Sequence, residues 1–157
     1  MTPLRDLGSY LDSTVTTYRF DGQRGSLDPL QVVPSTPPSY TGNNSGAEIA
    51  IAPSGHVVYA SNRGHNSIAM FDVDRHTGAL APVVWALTDA KSPRFFGIEP
   101  AGKVLYAANA DEGLGGRDQQ NTDTIVAFKI DETDGVLTPA GQVIKVNSPC
   151  TIVFAGA

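Results

Sequence analysis

Asn62-Arg63-Gly64-His65-Asn66 sets a guanidinium and an imidazole on either side of a glycine, the densest grouping of reactive side chains in the sequence. A guanidinium fork matches carboxylate and phosphate geometry, so Arg63 with Arg94 would hold an anionic group. The same two arginines would serve equally well in ion pairs between neighbouring structural units. His65 changes charge near neutral pH and suits general acid or base work; a histidine after glycine is also a common hydrogen-bonded turn residue. Glu48 would activate a water molecule or pair with Arg63. Asn62 and Asn66 flank the pair as candidate substrate-binding amides. Asn62 has a counterpart in Asn109, which points to a structural turn role as well.

The elements that must position these residues are written in an internal repeat. Pro53, Gly55, Tyr59 and Asn62 recur 47 positions on as Pro100, Gly102, Tyr106 and Asn109. Phe71, Asp74, Gly78 and Pro82 recur 57 positions on as Phe128, Asp131, Gly135 and Pro139, so ten extra residues fall within Glu112 to Thr122. Ser13 to Asp21 and Gly25 to Pro29 repeat only the second half of the unit. Apolar residues alternate over short runs rich in Val, Ile, Tyr and Phe, the pattern of half-buried strands, and no segment reads as a helix. Pro-x-Gly turns at 53–55 and 100–102 close one hairpin per unit, and the Gly78 and Gly135 turns close another. The first full unit reads as strands over Ala47–Ala52, Val57–Asn62, Ser67–Val73 and Ala81–Leu87.

Four-stranded meanders at this period predict an all-β partial β-propeller of about two and a half antiparallel blades. The expected layout is one partial propeller domain over 1–157. It has a half blade at about 11–33, blades at about 46–88 and 93–146, and a closing strand at about 150–155 that would start a further blade. Propellers close with four to eight blades, so such a chain would need further blades, from a longer protein or by self-association, to complete a ring. In this geometry Arg63, His65, Asn66, Glu48, Arg94, Tyr10 and the Glu112–Thr122 insertion share the face where blades are linked. Glu48 and Arg94, on innermost strands, would line the mouth of the central channel. His56 and His76 fall in turns on the opposite face and are expected in solvent.

Charge and composition exclude several classes. A net charge of −5 and a pI near 5.0, with 11 scattered Lys and Arg, do not make a nucleic-acid surface. No apolar run reaches the length of a membrane helix, and Met1 to Tyr10 lacks the layout of a signal peptide, so a cytoplasmic location is expected. Cys150 forms no disulfide within a chain that has one cysteine, and its Pro-Cys-Thr-Ile setting predicts a buried structural thiol in a reducing compartment. The acidic residues Asp111, Glu112, Asp118 and Asp123 lack calcium-loop spacing, so a polar loop and no metal are expected there. Asn43-Asn44-Ser45 matches a glycosylation triplet that carries little weight without a secretory signal.

Ala47-Glu-Ile49, Pro53-Ser-Gly55, Tyr59-Ala-Ser-Asn-Arg-Gly-His-Asn-Ser-Ile68, Ser92-Pro-Arg-Phe-Phe96 and Pro139-Ala-Gly-Gln-Val143 resemble the lactonase family of seven-bladed propellers. That family includes propeller-type 6-phosphogluconolactonases and muconate-lactonizing enzymes. The resemblance covers about Leu11 to Ala155 and corresponds to the C-terminal part of family members. It implies hydrolysis of a sugar lactone such as 6-phosphogluconolactone, or internal lactonisation of a muconate, without a cofactor. Under it Arg63 faces the reacting carbonyl, His65 and Glu48 handle protons, and Arg94 holds the substrate's anion. Tyr10 stands where relatives carry a glutamate, and partners expected from earlier blades are not in the sequence. A non-catalytic module that binds a small anion or a protein, and an inactive fragment, are the alternatives.

Overall fold

A computed structural model describes residues 4–9, 12–110 and 123–155, the first of these segments as backbone only. The Glu112–Thr122 insertion and Tyr10 lie outside the described residues.

Three antiparallel sheets form, and within each sheet every strand pairs with its neighbours in sequence. The first sheet contains β1 (Leu4–Ser9), β2 (Thr14–Asp21) and β3 (Ser26–Pro34). The second contains β4 (Ser45–Ile51), β5 (Val57–Arg63), β6 (Ser67–Val73) and β7 (Leu80–Leu87). The third contains β8 (Pro93–Ile98), β9 (Val104–Asn109), β10 (Thr124–Ile130) and β11 (Leu137–Lys145). Each of the last two sheets is a four-stranded meander, so the molecule is an all-β partial propeller.

Two expectations need correction. The first sheet has a third strand: β1 pairs with β2 from Leu4↔Arg19 to Ser9↔Thr14. Leu4-Arg-Asp-Leu-Gly-Ser9 lacks alternation and β-branched residues, so pairing with β2 rather than local propensity makes it a strand. The expected closing strand at about 150–155, whose partners would belong to a further blade, joins no sheet among the described residues. This segment instead sends Phe154 to the β8–β9 surface, where its ring lies 5.8 Å from that of Tyr106 and close over Gly97. Cys150, expected inside a strand and buried, is therefore exposed.

The alternation of β5 explains how the sheets stack. All seven of its residues are buried, because both faces are covered. Val57 and Tyr59 face the third sheet with Ile68, Met70, Phe96, Leu105 and Phe128. Val58 and Ala60 face the first sheet with Val15, Val33, Ala69, Phe71 and Leu80. Fully burying each large apolar side chain contributes about 1.5–3 kcal/mol. Polar clasps supplement the cores: the Tyr59 hydroxyl donates to the Gly135 carbonyl at 2.8 Å, and Trp85 Nε1 donates to the Ser35 carbonyl at 2.7 Å. The Gln31 amide makes two bonds, accepting from Leu80 N at 2.8 Å and donating to Leu80 O at 3.1 Å.

Outer hairpins turn by one device used three times. The carboxylates of Asp21, Asp74 and Asp131 each accept main-chain N–H bonds from the residues two and three positions on, and Gly25, Gly78 and Gly135 follow at φ of 65°, 75° and 72°. These N–H donors hold the Asp74 and Asp131 carboxyls below the usual carboxylate range. His56 and His76 are exposed, as expected, and His56 Nε2 meets the Arg75 guanidinium.

A second device closes the outer hairpin of a sheet where the chain leaves it for the next. Ser35 N donates to the Ser13 carbonyl at 2.8 Å and Thr88 N to the Asn66 carbonyl at 3.0 Å; the Ser35 and Thr88 hydroxyls bond the same two carbonyls at 2.9 and 3.1 Å. Ser13, Asn66 and Asp123 occupy the matching position before β2, β6 and β10, so this position is a recurring clamp.

Candidate functional site

The turn between β5 and β6 carries Arg63, His65 and Asn66, and its shape depends on Gly64. Gly64 has a φ of 140°, and a Cβ there would strike the Asn43 carbonyl oxygen and lie 2.8 Å from Asn44 Cα. Only glycine lets the turn lie against the segment that leads into β4. Ser45 opposite Arg63 and Gly46 opposite Asn62 then fix the register.

Asn44 secures this contact. Its Oδ1 accepts the His65 main-chain N–H at 3.0 Å, and its Nδ2 donates to Asn62 Oδ1 at 3.0 Å and to Ser13 Oγ at 2.8 Å. Asn62 is fully enclosed. Its Nδ2 donates to the Ser35 carbonyl at 2.7 Å and, at 3.4 Å, to Ser67 Oγ, while its Oδ1 and the Ser13 carbonyl share the one Ser35 O–H proton, at 2.6 and 2.9 Å. With the side chain enclosed and its polar atoms engaged within the protein, Asn62 supports the turn from beneath rather than presenting an amide to a ligand. Asn66 is similarly engaged: at φ 56° its Oδ1 accepts from Gly64 N at 3.3 Å and from Ser92 N at 2.9 Å.

Arg63 ends β5 and is only 8% exposed. His65 is half-buried. Its ring packs edge-to-face with that of Tyr40, at a centroid distance of 4.9 Å and an angle of 77°, and Ser67 Oγ lies 2.7 Å from its Nδ1. Burial lowers the His65 pKa below the ordinary histidine value, favouring the neutral ring at physiological pH.

Glu48 and Arg94 both sit in register breaks of first strands: Glu48 between Gly46 and Ile49 on β4, Arg94 between Pro93 and Phe95 on β8. Such bulges re-aim side chains and collect beside functional sites. Glu48 is half-buried and its Oε1 accepts the Ile49 N–H at 3.0 Å. Arg94 is exposed, two residues beyond Ser92, whose N–H is held by Asn66. Among the described residues no group of three or more His, Cys, Asp or Glu side chains could hold a metal ion, and no helix is long and apolar enough to cross a membrane.

Asn44, Ser67, Ser35 and Tyr40 belong to this arrangement although their types and spacing did not single them out. A usable signal existed for Ser67. It recurs as Thr124, and Asn109 Nδ2 donates to Thr124 Oγ1 at 3.4 Å as Asn62 does to Ser67.

Stacked four-stranded meanders, with a turn of polar side chains on the face where blades are linked, define a β-propeller. Residues 9–154 match the model of the lactonase, seven-bladed β-propeller family, and the chain belongs to that family. It is 31% identical over 144 residues to a 6-phosphogluconolactonase of Bacillus subtilis, covering 92% of this chain and 38% of that protein. A 6-phosphogluconolactonase of Formosa agariphila is 35% identical over 108 residues, covering 68% of this chain and 28% of the relative. Among solved structures, a candidate 6-phosphogluconolactonase from Bacteroides fragilis superposes with a TM-score of 0.78 at 32% identity, covering 94% of this chain and 37% of that one. A periplasmic gluconolactonase of Pseudomonas aeruginosa shares the fold with a TM-score of 0.82 at 24% identity, over 97% and 42% of the two chains. The chain thus spans about two fifths of the length of the relatives it matches.

Proposed function

We propose that this chain takes part in hydrolysis of a sugar lactone, with a small anionic substrate such as 6-phosphogluconolactone. The observation that carries the reading is the Arg63–His65 turn, locked by Gly64, Asn44 and Asn62 within a chain of the lactonase family. Water adds to the lactone carbonyl, forming a C–O bond and moving the carbonyl π electrons onto oxygen. The Arg63 guanidinium stabilises that oxyanion, and the Glu48 carboxylate takes the proton from water. Collapse of the tetrahedral adduct re-forms the carbonyl and breaks the ring C–O bond, and the proton held by Glu48 passes to the departing alkoxide, giving the open hydroxy acid and restoring the carboxylate. Exposed Arg94 holds the substrate's phosphate or carboxylate. His65 contributes beside Arg63; Asn62 and Asn66 support the turn.

On this reading further blades complete the ring, in a longer protein or by association of copies, in a reducing compartment such as the cytoplasm. Turnover of 6-phosphogluconolactone above its spontaneous rate, falling about 100- to 1000-fold in Arg63→Ala, supports the proposal. An unchanged rate in that variant overturns the role of Arg63.

A further inference from the structure

Hydrogen-bonding groups that cannot reverse their roles fix the protonation of His65. The Ser35 carbonyl only accepts, so the Asn62 atom 2.7 Å from it is the NH2 group. The His65 main-chain N–H only donates, so the Asn44 atom 3.0 Å from it is the carbonyl oxygen. The two assignments agree, because they turn Asn44 Nδ2 toward Asn62 Oδ1 at 3.0 Å. Asn62 Nδ2 is then a donor where it meets Ser67 Oγ, and Ser67 must accept there. Ser67 is fully buried, and its O–H proton is left with His65 Nδ1, 2.7 Å away, as acceptor. A proton on Nδ1 would set two donors against each other or leave the buried hydroxyl unsatisfied, at a cost of about 1–3 kcal/mol.

We infer that the Asn62–Ser67 pair holds neutral His65 with its proton on Nε2, making it a hydrogen-bond donor toward the proposed lactone oxygen rather than a proton acceptor, with Ser67 as the positioning residue. The tautomer stands on the network alone; the role toward a lactone rests on the function proposed above. Blade repetition shows what is old and what is added. Asn109 and Thr124 make the same amide-to-hydroxyl contact in the third sheet, where Ala110 follows Asn109, so the pair is a property of the fold that His65 exploits in the second sheet.

Long-range 1H–15N NMR of the 157-residue chain, at a pH where the ring is neutral, reads the tautomer directly. The expected result is a single Nε2–H form. Ser67→Ala should give a mixture, and Ser67→Thr, which keeps the hydroxyl, should retain the single form. An Nδ1–H or mixed ring in the unaltered chain overturns the inference even if Ser67→Ala fails to fold. Rates separate the donor from the base role: His65→Gln keeps an N–H donor but no base, and should hold hydrolysis within about tenfold while His65→Ala loses about 100-fold. Equal loss in both overturns the donor role. No hydrolysis by the protein with its ring of blades completed, with the Nε2–H form observed, removes the lactonase reading and leaves the tautomer standing.

Discussion

Gly64 lies so close to Asn43 that no side chain fits between them: a Cβ would meet the Asn43 carbonyl oxygen, with Asn44 Cα 2.8 Å away. The obstruction is main chain and cannot swing aside as a flexible side chain would. Gly64→Ala should therefore push the turn off the segment before β4 and release the Asn44 bond to His65. Amide hydrogen exchange at His65 should rise at least tenfold, and activity should fall with Arg63 still in place. Exchange equal to that of the parent would refute the contact.

The buried amide of Asn62 ties β3, β5, β6 and the segment before β4 together. Asn62→Ala leaves the Ser35 carbonyl and the Asn44 amide without this partner and opens a cavity. We expect a loss of about 2–4 kcal/mol in urea unfolding. A loss below about 1 kcal/mol would mean that water replaces the amide.

Tyr59 gives a prediction at high pH. Burial, aided by the Asp134 charge, raises its pKa from 10.0 to about 12. A phenol protonated in the fold but ionised when unfolded contributes stability that is full below about pH 10 and is lost as pH rises toward 12. Tyr59→Phe should remove that part of the alkaline decline and, by unbonding the Gly135 carbonyl, cost about 1–2 kcal/mol at neutral pH. Denaturation of both forms between pH 8 and roughly 11 checks it.

His65 acts at the other end of the scale. Its pKa is lowered by burial, so below the ordinary histidine value near 6.5 the unfolded chain takes up a proton that the folded chain resists. Stability assigned to His65 is present above about pH 6.5 and declines as pH falls through the folded value. The melting temperature should drop less between pH 7 and 5 in His65→Gln than in the parent; identical slopes would contradict the shift.

Much of the architecture was legible because one rule, alternation with both faces apolar, holds from Val57 to Asn62 and again from Val104 to Asn109. The strand expected over Ser67–Val73 has those bounds in the structure. Where pairing rather than pattern decides, reading failed. Leu4–Ser9 has poor strand chemistry and pairs, and Cys150, expected to be buried, is exposed. At the site, the chemistry of Arg63 and His65 showed in their types. The duties of Asn62 and Asn66 did not, because their partners Ser35 and Ser92 lie 27 and 26 residues away.

Asn62 opposite Ser67 and Asn109 opposite Thr124 begin their hairpins in the same register, although four residues separate the first pair and fourteen the second. A loop of fourteen residues costs only about 1 kcal/mol more closure entropy than one of four. The cost is small beside the cores that hold the strands, so sheet geometry does not police the length of this connection. It is a position where new segments accumulate without disturbing the frame, and a peptide grafted between Ala110 and Asp123 would inherit a rigid stem at both ends.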